Sequence, residues 1–113
     1  MSDCVFCRIV RGEAPARIVY QDEDVTAFHD AHPRAPVHIL IVPNRHIAGA
    51  AQVEPEDAAL LGKLFVVARQ VAEQAGTLSA YRLVVNNGHL AGQSVFHLHL
   101  HLLGGRSLGW PPG

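Results

Sequence analysis

The sequence predicts an α+β fold: an antiparallel sheet of about five strands, one long helix and a short N-terminal helix. Three observations carry this. Two stretches rich in β-branched residues, "ARIVYQDEDVTAFHD" and "PVHILIVPN", precede a single long helical stretch, "PEDAALLGKLFVVARQVAEQAG". Two more strand-like stretches, "YRLVVNN" and "VFHLHLHLLG", follow it. Strands grouped on either side of one helix, rather than alternating with helices, favour an antiparallel sheet.

Each element has a local reason. "CVFCRIVRGE" is a short helical or turn segment ending near Gly12. Residues 17–21 and 25–29 flank the acidic turn "DED", which makes them hairpin-like. "PVHILIVPN" is a third strand, stopped by Pro43. In the helix, Leu60, Leu61, Leu64, Val67, Ala68, Val71, Ala72 and Ala75 recur at i, i+3, i+4 and i+7. Pro55 suits its first turn, Glu56 and Asp57 suit its positive end, and Gly76 suits its C-cap. The loop "GHLAGQS" separates the last two strands. The ending "RSLGWPPG", with two prolines and two glycines, forms no regular element.

The 113 residues suit one domain, 1–113, with 104–113 as a C-terminal tail. At 49% apolar residues the chain can pack a core. A net charge of −1, without a large basic patch, argues against nucleic acid as partner. "MSDCVFCRIV" lacks the basic start and apolar run of a signal peptide. No apolar stretch approaches the roughly 20 residues of a membrane span. The expectation is a cytoplasmic protein without membrane association. A mean hydropathy that is high for so small a domain hints at a buried subunit interface.

The chemistry is concentrated in "VFHLHLHLLGG". In a strand, His97, His99 and His101 share one face, while Leu98, Leu100 and Leu102 point into the core. An exposed strand face would mix in Thr, Lys, Glu or Arg, so three imidazoles point to a metal site or to histidine catalysis. Cys4 and Cys7 form a C-x2-C pair, half of a tetrahedral zinc site. A redox pair or two inert thiols are the alternatives; no strand precedes the motif, as a thioredoxin-like site requires. Neutral imidazole is a competent nucleophile near pH 7 and can carry a phosphoryl group covalently. "NNGHLAGQS" offers phosphate donors: Gly88 and Gly92 admit close backbone approach, and Asn86, Gln93 and Ser94 are polar.

"HLHLHLL" resembles the H-x-H-x-H-x-x signature of the histidine-triad superfamily. "FCRIVRGEAPARIVYQDEDVTAFHD", "PRAPVHILIVPNRHI", "YRLVVNNG", "AGQSVFHLHLHLLGG" and "WPPG" are similar, in order, to its Hint branch, the histidine-triad nucleotide-binding proteins. The resemblance covers nearly the whole chain. It implies a homodimer whose sheets join into one. It implies hydrolysis of purine nucleoside phosphoramidates and aminoacyl-adenylates at the α-phosphorus, leaving a nucleoside monophosphate. By position, His99 is the implied nucleophile, held in one tautomer by the backbone carbonyl of His97. His38 and His101 assist proton delivery to the leaving amine. Ser94, Gln93 and Asn86, with backbone N–H groups near Gly92, meet the phosphate and leaving group. Asp30 holds the ribose hydroxyls. Phe6, Ile9 and Phe28 line the base pocket, with Val5 at its edge. Trp110, in the tail, lies on the leaving-group side, from the partner subunit. Without the resemblance, Val5, Phe6, Ile9 and Phe28 read as core, Asp30 as a cap and His38 as a core histidine. No role is assigned to His29, His32 or His89, which read as surface or loop residues.

The C-x2-C pair matches the zinc-bearing members, whose pattern adds His46 and His97 as ligands. Cys4, Cys7, His46 and His97 then form a closed Cys2His2 shell, which means structural zinc, one per subunit, and no catalytic metal. Two base-pocket positions depart from the pattern, with Ala14 and Ala31 where larger aliphatics are usual. Competing expectations are a nucleotide-binding regulatory protein with little catalysis, a dinucleoside polyphosphate hydrolase, and a tri-histidine catalytic zinc site.

Overall fold

The computed structural model describes residues 4–113. Helix α1 (Val5–Val10) leads into strands β1 (Ile18–Gln21), β2 (Val25–His29) and β3 (Val37–Pro43). Helix α2 (Ala58–Gln74) crosses to β4 (Tyr81–Val84), and β5 (Leu100–Gly104) closes the sheet. The five strands lie in the order β1-β2-β3-β5-β4, and every neighbouring pair is antiparallel. The predicted α+β architecture is the one observed.

Alternation along the strands sends side chains to two different faces. One face carries Val25 and Ala27, Ile39 and Ile41, and Leu100 and Leu102, packed against Leu64, Val67, Ala68, Val71 and Ala72 of α2. This is the apolar helix stripe the periodicity predicts; Leu60, Leu61 and Ala75 sit half-buried at its border. The opposite face carries Phe28, Leu40 and Val42 against Phe6 and Ile9 of α1. Central strands covered on both sides have no polar face, which is why "PVHILIVPN" is almost continuously apolar.

The helix ends follow local rules. Pro55–Asp57 forms a 3-10 turn ahead of α2, and the Asp57 carboxylate accepts the Glu54 N–H at 2.8 Å and pairs with Arg45. At the other end Gly76 takes φ +77°, with Gly76 N–H to Glu73 O at 3.1 Å and Thr77 N–H to Ala72 O at 2.9 Å. That is a Schellman cap, and it requires the left-handed residue glycine supplies.

Several boundaries differ from expectation, among them the end of β4 at Val84, short of the predicted "YRLVVNN". The first strand begins at Ile18, one residue later than predicted. The histidine strand is regular only over Leu100–Gly104, so His97 and His99 precede it and His101 alone lies within it. The cause is local: the His97 carbonyl accepts from the His99 ring, and the Leu98 N–H reaches Ile47 O at 2.6 Å, so neither joins a ladder. Gly104 belongs to the sheet, paired with both Val37 and Tyr81, so the irregular tail starts at Gly105.

Candidate active site and metal centre

The sheet face that carries α1 opens into a cleft of about 840 Å³. Phe6, Ile9, Phe28 and Leu40 form its apolar floor, and Ser94, His99 and His101 supply polar groups. The strand register explains the alignment. Phe28, Leu40 and His101 are direct partners across β2, β3 and β5, so they share one face.

His99 is buried and its Nδ1 lies 2.7 Å from the His97 carbonyl oxygen. A carbonyl only accepts, so Nδ1 carries the proton and Nε2 keeps its lone pair. The Phe6 ring stands perpendicular to the His99 ring, centroids 5.1 Å apart, and His101 lies 4.9 Å away on the same measure. Burial lowers the His99 pKa, with the His97 carbonyl and Asp30 opposing that shift. His99 is therefore a neutral imidazole at pH 7.

A second chain of contacts fixes two more tautomers. The Arg34 N–H donates to His38 Nδ1 at 3.0 Å, so His38 carries its proton on Nε2. That Nε2–H faces His101 Nδ1 at 3.0 Å and Asp30 Oδ2 at 3.3 Å. His101 is left with its proton on Nε2. Burial, with His99 and His38 alongside, pulls the His101 pKa down to about 4. His38 is shifted downward too, by burial against the opposing Asp30 charge. The His38–Asp30 contact is thus a 3.3 Å approach of a neutral imidazole to a carboxylate rather than an ion pair. Asp30, His38 and His101 also sit close enough to surround a cation. The Arg34 N–H argues against that, because a His38 that accepts on Nδ1 has no free lone pair on Nε2.

The other cluster is different. Cys4 Sγ lies 3.4 Å from His97 Nδ1, Cys7 Sγ lies 3.5 Å from His97 Nδ1 and 3.3 Å from His46 Nδ1, and the two Nδ1 atoms are 3.2 Å apart. All four donor atoms fall within 4.8 Å of one another, so the group could hold a metal ion. Bonds of about 2.0 Å to nitrogen and 2.3 Å to sulfur give tetrahedral edges of roughly 3.3–3.7 Å, which these distances approach. The outer contact agrees: His97 Nε2 lies 2.8 Å from the Pro43 carbonyl, so it carries the proton and leaves Nδ1 free to ligate. Burial and the adjacent Cys4 raise the Cys7 thiol, a shift a bound cation would reverse. Cys4 caps α1 and Cys7 lies in its first turn, so the cluster fixes this helix against the histidine segment.

The remaining predicted residues divide. Val5, Phe6, Ile9, Phe28, Asp30, Ala31 and Ser94 line the cleft. Ala14 packs against the α1 cluster instead. Gln93 is buried and turned away: its amide N–H groups reach Ala48 O and Val95 O, its Oε1 accepts the Gly88 N–H, and its own N–H binds Gly88 O. It clasps the loop and has no group left for a phosphate. Gly92, at φ +99°, and the half-buried Asn86 lie side by side but outside the cleft lining. Trp110 is 82% exposed and stacks near Arg82 of β4, away from this chain's cleft. Arg17, His29, His32 and Pro33 also line the cleft, and the residue pattern alone assigns no role to His29 or His32. The Pro43 carbonyl and Arg34 N–H are main-chain groups, which no residue pattern reveals.

Comparison with known proteins matches this arrangement. The family model described as the HIT domain matches residues 11–108. An uncharacterised HIT-like protein of Synechocystis is 50% identical over 111 residues, covering 98% of this chain and 97% of that protein. The crystal structure of a HIT family hydrolase from Legionella pneumophila has a TM-score of 0.96 at 46% identity, over 98% of this chain and 100% of that one. A histidine triad nucleotide-binding protein from Candida albicans has a TM-score of 0.82 at 30% identity, over 96% of this chain and 83% of that one. With the triad strand, the cleft and the length of these matches in agreement, the chain belongs to the HIT domain family.

Proposed function

We propose that this protein is a hydrolase of the Hint branch that cleaves nucleoside 5′-phosphoramidates and aminoacyl-adenylates to a nucleoside monophosphate. The observation that carries this reading is the His99 ring, neutral, with Nδ1–H on the His97 carbonyl and the Nε2 lone pair free. The solved relatives described as a HIT family hydrolase and a nucleotide-binding protein support the class of reaction and of ligand.

In this mechanism the apolar floor of Phe6, Ile9 and Phe28, edged by Val5, takes the base, and Asp30 meets the ribose hydroxyls. His99 Nε2 attacks the α-phosphorus. A nitrogen–phosphorus bond to His99 forms and the bond to the leaving group breaks. A phosphate beside His101 raises its pKa, so the His38–His101 pair takes up a proton and passes it to the departing amine. Ser94, which lines the cleft, donates to a phosphate oxygen. Water then attacks the phosphorus, returns a proton to the histidine pair and releases the monophosphate, restoring the His99 lone pair. Asn86 and Gly92 bear on the leaving group through the adjoining loop.

Cys4, Cys7, His46 and His97 would hold Zn2+, one per subunit. A closed shell of four protein ligands supplies folding energy rather than a reactive water. Homodimerisation is part of the reading: β4 is an edge strand, and Leu78, Val85, Phe65 and Val66 expose apolar area on β4's flanks and on α2. Trp110 lies beside the same β4 edge, where a partner subunit's cleft would meet it. No described helix is long and apolar enough to cross a membrane, and a cytoplasmic location suits two reduced thiols.

The test is hydrolysis of adenosine 5′-phosphoramidate by the native protein and by His99→Ala, with metal content assayed alongside. Release of AMP by the native protein only, at equal metal content, is expected. If neither protein turns over while AMP still binds, the chain is a nucleotide-binding module instead.

A further inference from the structure

We propose that Arg17 reads the nucleobase and makes this protein prefer guanine-type over adenine-type nucleotides. The inference rests on the function proposed above and deepens it. Arg8, Arg11, Arg45, Arg69, Arg82 and Arg106 each place a guanidinium N–H on a described carbonyl or carboxylate. The guanidinium groups of Arg17 and Arg34 have no such partner among the described residues, and of the two only Arg17 lines the cleft.

Its position just ahead of the edge strand β1 sets what it can meet. Ile18, Phe28, Leu40 and His101 are successive direct partners across β1, β2, β3 and β5. Arg17 immediately precedes Ile18, and its carbonyl accepts the His29 N–H at 3.1 Å. Three strand spacings, roughly 14 Å, separate β1 from the histidine strand. A nucleotide stretched from its phosphorus to the far edge of its base covers most of that span, and the Arg17 side chain can reach across the rest. With phosphorus at His99 and the base over Phe6, Ile9 and Phe28, the far edge of the base arrives beside Arg17. The phosphate does not.

The chemistry of that edge then decides. Guanine and hypoxanthine present two adjacent acceptors, O6 and N7, which the guanidinium fork matches with two N–H donors. Adenine presents N7 beside an N6 amino donor, which faces a cation unfavourably.

The experiment measures dissociation constants of GMP, IMP and AMP by calorimetry on the metal-loaded native protein and on Arg17→Met, which keeps the apolar stem. A bidentate contact at an exposed rim should make GMP and IMP bind roughly tenfold tighter than AMP. Arg17→Met should bring all three to one affinity. Equal affinities in the native protein overturn the proposal. So does a GMP preference that survives Arg17→Met, or one that IMP does not share, since a different contact then reads the base. If none of the three binds either protein, the nucleotide-hydrolase reading itself fails and this inference falls with it.

Discussion

His97 faces two ways, and much of the candidate site follows from it. Its side chain joins the Cys4–Cys7–His46 group, while its carbonyl orients His99 two residues on. Phe6, between the two cysteines, touches the rings of both His97 and His99. The spacing of the histidines was legible in the sequence because alternation survives even where the strand is irregular. What those histidines bond to was not, because the partners are a Pro43 carbonyl and an Arg34 N–H, and backbone groups leave no residue signature. Gln93 shows the opposite error. A polar residue beside a glycine in a loop invites a phosphate role, yet its whole amide is engaged with Ala48, Val95 and Gly88. Gln93→Ala should therefore lower stability by roughly 1–3 kcal/mol, because it leaves partly buried backbone groups of Ala48, Gly88 and Val95 without their partner. Urea unfolding measures this directly. An unchanged midpoint, with a change in phosphate affinity alone, would return Gln93 to the ligand set.

Among the elements, periodic segments are legible in the sequence and their ends less so. The α2 stripe, the β1–β2 hairpin and the apolar β3 all follow from spacing that burial on one face or two enforces. Their ends depend on single contacts. Strand β5 starts late because His99 captures the His97 carbonyl, and it runs on to Gly104, which pairs with Val37 and Tyr81 and is a glycine because a Cβ there would lie 3.0 Å from Thr77. The next residue turns the chain out of the sheet. Gly105 has φ +89°, and a Cβ there would lie 2.9 Å from Pro36 Cβ. Gly12 has a similar φ of +77° after α1 but faces open space. Alanine at Gly12 should cost about 1–2 kcal/mol from conformation alone. Alanine at Gly105 adds overpacking, worth roughly a further 1–3 kcal/mol. The two variants are compared by denaturant midpoint. Equal losses would mean that the Pro36 contact relaxes at no cost.

At the scale of the whole molecule, buried neutral imidazoles and the Cys–His group together set the conditions under which the cleft exists. His101 has a folded pKa of about 4, below its ordinary value of 6.5. Between those values the unfolded chain binds more protons, so stability is complete above about pH 6.5 and falls as the pH drops toward about 4. His38 contributes in the same direction. Urea midpoints of the native protein and of His101→Gln, taken from pH 7 to pH 4, should converge as the pH falls. Parallel curves would show that His101 does not stay neutral in the fold. Metal removal should act on the same surface by another route. Val5, Phe6 and Ile9 line the cleft from α1, and α1 is held through Cys4 and Cys7 to His46 and His97. An ion that binds only the folded chain adds roughly 4 kcal/mol at a thousandfold excess over its Kd. Chelation, and Cys4→Ala, should therefore lower the Tm and raise amide hydrogen exchange in residues 5–10. Exchange in α2 should change less, because its core lies on the other face of the sheet. AMP affinity should fall with the loss of the α1 wall, and added Zn2+ should restore it in the native protein but not in Cys4→Ala. If chelation leaves exchange over residues 5–10 unchanged, α1 is held by Phe6 and Ile9 packing alone, and the cluster does not build the cleft.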